Sequence, residues 1–297
     1  MRTAKLILNP IAGRGRAGAL RTDIHAALRQ SGIETDVALT RAPREATDVA
    51  QRAREDGFEL VIAAGGDGTL HEVINGLMRA AGSAPAGALC IIPIGTGNDF
   101  IKALNLSKDW RAACQRIAVG QTRLVDIGRL NQEFFANNIG VGFDAQVGIE
   151  AAKITWAQGM AVYVIALARH LLLSHRTPHV NVELDGKNFA QRITLLTVGN
   201  GRCAGGGFWL TPHAEVDDGW FDICIADRLN RAQILALVPE VMKGTHINKR
   251  PVHMARARRV VITSDEPLPV HADGEILYTD AHRLEVELLP QKLEVIT

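Results

Sequence analysis

The run LVIAAGGDGTLHEVINGL, residues 60–77, decides the fold: an unbroken apolar run ends in GGDGT, and the apolar residues after it return every three or four positions. A strand buried on both faces reads as a continuous apolar run, whereas a period near 3.6 marks a helix with one buried face. The spacing therefore predicts a strand over residues 59–64, a glycine loop over 65–69 and a helix over 70–81. The same unit repeats on both sides. Upstream, residues 5–9 and 34–39 read as strands, and 17–31 and 44–55 as helices that end at Gly32 and Gly57. Downstream, Ala88–Pro93 reads as a strand and residues 99–104 as the start of a helix. Alternation of this kind predicts an α/β domain with a parallel sheet and crossover helices.

Beyond Leu124 the pattern changes to β-like runs at residues 180–184, 192–198, 221–226, 258–263 and 283–288. Asp185-Gly186 is a hairpin signal, because both residues tolerate the positive φ of a two-residue turn. Helices are expected at residues 153–173 and at Arg231–Lys243. The expectation is thus a nucleotide-type α/β domain at residues 1–124, with the C-terminal strand a candidate to complete it. A β-rich, mainly antiparallel domain follows at 125–297.

At 297 residues the chain is long enough for two domains, and 47% hydrophobic with 22% charged residues argues against disorder. A net charge of +1 provides no whole-molecule field for nucleic acid, so a polyanion has to be read locally. Cys90, Cys114, Cys203 and Cys224 form no CxxC pair and read as buried thiols of a reducing compartment, which makes a cytoplasmic location the expectation. MRTAKLILNP lacks the apolar core of a secretory signal. The most apolar stretch, residues 160–168, is closed by Arg169 and His170, far short of the ~20 residues a membrane span needs. The ten histidines show no metal-binding spacing.

Three early strands run into glycine-rich loops that open onto helices: NPIAGRGRAG at residues 9–18, with Gly13, Arg14 and Gly15; GGDGT at 65–69; and GTGND at 95–99. Without a Cβ the backbone can approach a phosphate, and helix N-termini offer N–H groups and a positive dipole end. Such loops at the carboxyl ends of parallel strands converge where open α/β sheets bind ligands. There is no GxxxxGK[ST]; Gly13, Gly15 and Gly18 have the GxGxxG spacing, and Glu34 or Asp36 could hold a ribose, so a dinucleotide reading stays open. A carboxylate beside phosphate is repelled unless a cation intervenes. Asp67 and Asp99 therefore point to magnesium-assisted phosphoryl transfer, with a helix N-cap the other role open to each.

These motifs, together with GGDGTLHEVINGL, PIGTGNDF, GGGFWLTPHAEVDDGWFDI and HADGE, resemble the diacylglycerol kinase catalytic family, in particular its bacterial soluble lipid kinases. That family shares a fold type with NAD kinases and sphingosine kinases, and the resemblance covers nearly the whole chain. It implies an NAD kinase-like α/β domain, a β-rich domain and an active site in the cleft between them. It further implies that Asn9, Thr40, Gly65, Gly66, Asp67, Gly68, Thr69, Leu70, His71 and Thr96 surround ATP. His71 stands where Asn is common. Glu275 resembles the catalytic base, with Asp99 the next candidate, and Glu215, Asp218 and Trp220 resemble a separate magnesium site, to which Glu215 and Trp220 would contribute mainly backbone oxygens. GGDGT fits an NAD kinase equally, and GTGNDF with the late ADGE tips the reading to a lipid kinase; NAD kinase and a nucleotide sensor without turnover remain the alternatives. The expected cofactors are ATP and Mg2+.

The expected partner is a lipid with a free hydroxyl, of diacylglycerol, phosphatidylglycerol or sphingoid type. MAVYVIALA in the 153–173 helix reads either as core or as the lining of an acyl groove. Residues 241–264 carry Lys243, Lys249, Arg250, Arg256, Arg258 and Arg259 without an acidic residue, a pattern suited to peripheral contact with anionic lipid or to a solvated strand face. GNGRCAGGG at 199–207 reads as a flexible loop near the cleft implied by the resemblance. Nothing in the sequence specifies an oligomer.

Overall fold

The computed structural model describes residues 2–82, 84–154, 160–173 and 176–297. The chain divides into two compact units, Met1–Ile127 with Leu289–Thr297, and Gly128–Leu288.

In the first unit the order is β1 (Arg2–Leu8), α1 (Arg16–Ala19), α2 (Arg21–Gln30), β2 (Ile33–Leu39), α3 (Glu45–Glu55), β3 (Leu60–Gly65), α4 (Asp67–Ala81), β4 (Ala88–Pro93), α5 (Asp99–Ala103), α6 (Trp110–Val119) and β5 (Thr122–Leu130), whose last residues enter the second unit. β1 pairs in parallel with β2 and β3, and β3 with β4. Every residue of β3 and β4 is buried, which suits strands covered on both faces. Ile24 and Leu28 of α2 with Trp110, Ala113 and Ile117 of α6 cover one face in a core with Leu6, Ile62 and Ile92. α4 packs on α3, where Ala46, Ala50 and Ala53 are buried.

β1 starts at Arg2, ahead of the expected residue 5, and two helices depart further from expectation. The helix expected over 17–31 is broken at Leu20, which caps α1 and leads into α2. The helix expected from Leu70 begins instead at Asp67: Gly66 is its extended N-cap, and the first-turn carboxylate complements the helix dipole.

In the second unit β6 (Glu133–Phe135), β7 (Asn138–Gly142), α7 (Phe143–Ala152), α8 (Met160–Leu173), β8 (His179–Leu184), β9 (Lys187–Gly199), β10 (Phe221–Asp227), α9 (Arg231–Lys243), β11 (Val252–Ala257), β12 (Arg259–Ala272) and β13 (Glu275–Ile296) follow in order. Their pairings are antiparallel: β11 to β10, β10 to β9, β9 to β7, β7 to β12 and β12 to β13, with β8 on β9 and β12. Phe135 and Phe221 stack at 5.6 Å in its core. Asp185 and Gly186 have φ of 46° and 85° and close the β8–β9 hairpin. The end of β13 returns to the first unit, where Glu294 and Val295 pair in parallel with Ala88 and Leu89 of β4.

The single helix expected over 153–173 is corrected. Lys153 caps the end of α7, α8 begins at Met160, and residues 155–159 lie outside the described residues. Ala166 and Leu171 of α8 are buried, and Leu171 packs with Phe143, Leu229 and Ile234; Val164 is exposed. Among the described residues no helix is long and apolar enough to cross a membrane. The four cysteines are buried free thiols.

Candidate active site

The three glycine loops of the first unit leave the carboxyl ends of β1, β3 and β4, and hydrogen bonds lock them to one another. Asn9 Nδ2 donates to Thr69 Oγ1 at 3.0 Å, joining the first loop to the second. Gly65 O accepts from Ile94 N at 2.8 Å and Gly95 N at 3.1 Å, joining the second to the third. A Cβ on Gly95 would stand 2.5 Å from Gly66 Cα, so glycine is needed where the two backbones cross.

Asp67 supplies the strongest of these ties. Its Oδ2 accepts from Asn98 N at 2.7 Å and its Oδ1 from Asp99 N at 2.8 Å. Asn98 is left-handed (φ 51°) and donates Nδ2 to Gly95 O at 2.8 Å, which turns the third loop back on itself. The carboxylate that sequence reasoning aimed at a metal thus clamps the third loop to the N-terminus of α4. Asp99 is buried and accepts from Lys102 Nζ at 2.8 Å.

Among the other nucleotide-site residues, Gly13, Arg14 and Gly15 take consecutive positive φ of 58°, 64° and 83° in the first loop. Thr40 lies at the end of β2 with its N–H on Leu8 O at 3.0 Å, Gly68 is in the first turn of α4, and Thr96 is exposed at the third loop's tip. Leu70 and His71 are buried in α4, where Asn75 Nδ2 lies 3.3 Å from His71 Nε2. Asp36, one of the two residues suited to a ribose in the dinucleotide reading, is paired with Lys5 at 2.7 Å.

In the second unit Glu275 opens β13 as an exposed residue, opposite Ala272 across a two-residue turn of Asp273 (φ 50°) and Gly274 (φ 89°). Asp273 accepts the backbone N–H groups of Ala136, Asn137 and Asn138 at 3.0, 2.9 and 3.1 Å. Sequence reasoning missed this clamp; its only signal was the polar Asn137-Asn138 pair inside an otherwise apolar strand entry.

At the turn carrying Glu215, Asp218 and Trp220, Glu215 is exposed. One oxygen of Asp218 pairs with Arg256 and the other accepts from Trp220 N at 3.0 Å. Arg258 lies 4.3 Å from the Trp220 ring centroid and donates to Gly219 O at 3.0 Å. Arg256 therefore neutralises the one side-chain carboxylate that the resemblance assigns to this site, while Arg258 braces the same turn through Gly219 O and the Trp220 ring. Among the described residues no group of three or more His, Cys, Asp or Glu side chains could hold a metal ion.

The basic segment is not a bare cationic face either. Arg256 also reaches Asp222 at 3.4 Å, Arg259 pairs with Glu183 at 2.9 Å and Lys249 with Glu240 at 3.5 Å. Burial holds the Asp222 carboxyl above the usual range, opposed by Arg256.

Comparison with known proteins agrees with this architecture. Residues 3–130 match the family described as the diacylglycerol kinase catalytic domain, and residues 137–297 match the YegS C-terminal NAD kinase beta sandwich-like domain. A diacylglycerol kinase of Bacillus subtilis (strain 168) is 32% identical over 277 residues, 93% of this chain and 90% of that protein. One from Staphylococcus carnosus (strain TM300) is 32% identical over 92% of this chain and 88% of its own length. A crystal structure of a diacylglycerol kinase from Bacillus anthracis strain Sterne superposes with a TM-score of 0.74 at 25% identity, covering 99% of this chain and 96% of that one.

Proposed function

The chain belongs to the diacylglycerol kinase family, a family of lipid kinases, and from that premise we propose that it transfers the γ-phosphate of ATP to the hydroxyl of a diacylglycerol-like lipid. The observation that carries the nucleotide half is the mutual locking of three glycine loops at the ends of β1, β3 and β4, because backbone N–H groups held in advance stabilise phosphate charge without reorganising. Asp67 keeps that rim in shape by holding Asn98 and Asp99.

In the proposed reaction the lipid hydroxyl oxygen bonds to the γ-phosphorus, the bond from that phosphorus to the β,γ-bridging oxygen breaks, and ADP leaves with the electron pair. Glu275 accepts the hydroxyl proton as the bond forms. Magnesium arrives on the nucleotide as part of the substrate and neutralises phosphate charge. Phosphatidylglycerol-like and sphingoid lipids present the same hydroxyl chemistry.

Turnover of ATP measured with a panel of pure lipids, and with NAD as a control acceptor, tests the assignment. A lipid-dependent rate supports it, and phosphorylation of NAD alone overturns it. Glu275→Gln should leave ATP binding near that of the parent while lowering turnover on the order of 10²-fold or more. Full retained rate would move the base to Asp99.

A further inference from the structure

We infer that Asp273 is a positioning residue for Glu275, and that Asn137, Asn138 and Asn200 extend its hold to the glycine-rich segment at residues 199–207. The inference rests on the reading of Glu275 as the base. A general base must meet its proton within hydrogen-bond reach, so its backbone has to be fixed before substrate arrives. Glu275 is exposed and only two residues beyond Asp273, so its orientation derives from the turn.

Four bonds fix that turn to the entry of β7. Besides the three N–H groups that its carboxylate accepts, Asp273 donates its own N–H to Asn138 O at 2.8 Å. Segment 136–138 is gripped in turn from the other side. Asn137 O accepts from Asn200 N at 2.8 Å and Gly201 N at 2.7 Å, and Asn200 Nδ2 donates to Ala136 O at 2.8 Å. Asn137 and Asn138 both donate Nδ2 to Cys203 O, at 2.7 and 3.1 Å. These side chains are buried, Asn200 completely, where hydrogen bonds are strong and their loss is costly. The turn of HADGE, the Asn137-Asn138 pair and GNGRC are therefore one polar unit.

The molecule contains its own control. The Asp185-Gly186 turn has the same pair of positive φ angles, and Asp185 likewise accepts backbone N–H groups, from Arg258 at 3.1 Å and Arg259 at 2.8 Å. It carries no residue assigned to the reaction. A purely structural role for Asp273 predicts that the two aspartates behave alike.

The test compares Asp273→Asn with Asp185→Asn, each alone and with Glu275→Gln, in steady-state assays of ATP-dependent lipid phosphorylation. An asparagine turns its NH2 toward an N–H donor in either turn, so both should lower the melting temperature similarly. Asp273→Asn should lower kcat about 30-fold or more with KM for ATP within threefold, and Asp185→Asn should leave kcat unchanged. In the Glu275→Gln background Asp273→Asn should cost less than threefold more, because its effect runs through Glu275. Independent multiplication of the two losses, or a kcat within twofold of the parent for Asp273→Asn, overturns the positioning role. If Glu275→Gln itself keeps full rate, the base assignment fails and the positioning role with it, an outcome distinct from failure of Asp273 alone. Should Asp273→Asn not fold, Asn200→Ala asks the same question. It should lower kcat about fivefold in the parent and less than twofold in Glu275→Gln, and equal losses in both backgrounds overturn the inference.

Discussion

Replacing Asp67 by Asn separates two roles for that carboxylate, a clamp on the third loop and a partner of the nucleotide's cation. The clamp consists of charge-assisted bonds of 2.7 and 2.8 Å to Asn98 N and Asp99 N. Hydrogen bonds to a charged group contribute about 1.5–3 kcal/mol each. Asparagine keeps one as a neutral bond worth about 1 kcal/mol and turns its NH2 toward the other N–H. The closed loop should therefore lose about 2–5 kcal/mol relative to the opened one. At about 1.4 kcal/mol per decade, opening becomes roughly 30- to 4000-fold more frequent. Amide hydrogen exchange without nucleotide reads this directly: Asn98 and Asp99 should lose about that much protection, while Ile94, bonded to Gly65 O, should change little. MgATP use should weaken in parallel as a raised KM. If protection at Asn98 and Asp99 stays within threefold of the parent while MgATP use collapses, the clamp is refuted and the carboxylate acts on the nucleotide itself.

Gly76→Ala should destabilise the first unit even though alanine is the better helix former by about 1 kcal/mol. The new Cβ would lie 2.2 Å from Thr47 O and 2.7 Å from Ala50 Cβ of α3, and overpacking costs about 1–3 kcal/mol, so denaturant titration should show a net loss. Burial pushes the thiols of Cys90 and Cys224 up to about 12 and that of Cys114 up to about 11, so a thiol-reactive chromophore at pH 8 should label these three only after unfolding. Burial lowers the pKa of His246, whose Nε2 lies 3.1 Å from Leu210 O. The unfolded chain takes up the proton that the folded one refuses, so stability present above about pH 6.5 should fall as pH drops toward the folded value. Melting curves of His246→Gln should show a shallower decline over that window.

Elements whose signals are local were legible in the residues alone. Ala88–Pro93 is a run of apolar residues stopped by proline, and Arg231–Lys243 is bounded by Asn230, which forms a capping box with Gln233, and by Gly244 at φ 71°; both occur with the expected limits. The start of α4 was not legible, because GGDGT reads as loop by composition, and only the extended backbone at Gly66 with helical residues from Asp67 onward makes it a helix terminus. The break between α7 and α8 was hidden for the opposite reason: apolar residues run through both helices, so periodicity offers no stop.

The same division runs through the chemistry. Glycine at Gly65, Gly66 and Gly95 and the acid at Asp67 could be picked out from residue type, because close backbone approach and charge are properties of single residues, whereas Glu275 was singled out by the resemblance of HADGE to the kinase family. Partnership is not such a property. Asp67 and Asn98 are 31 positions apart, Ala136 and Asp273 are 137 apart, and Asp218 and Arg256 are 38 apart. Which carboxylate holds a loop, which holds a turn and which meets an arginine follows from strands and loops folding back on one another, and a hydrogen bond exists only once both its ends have been brought within about 3 Å.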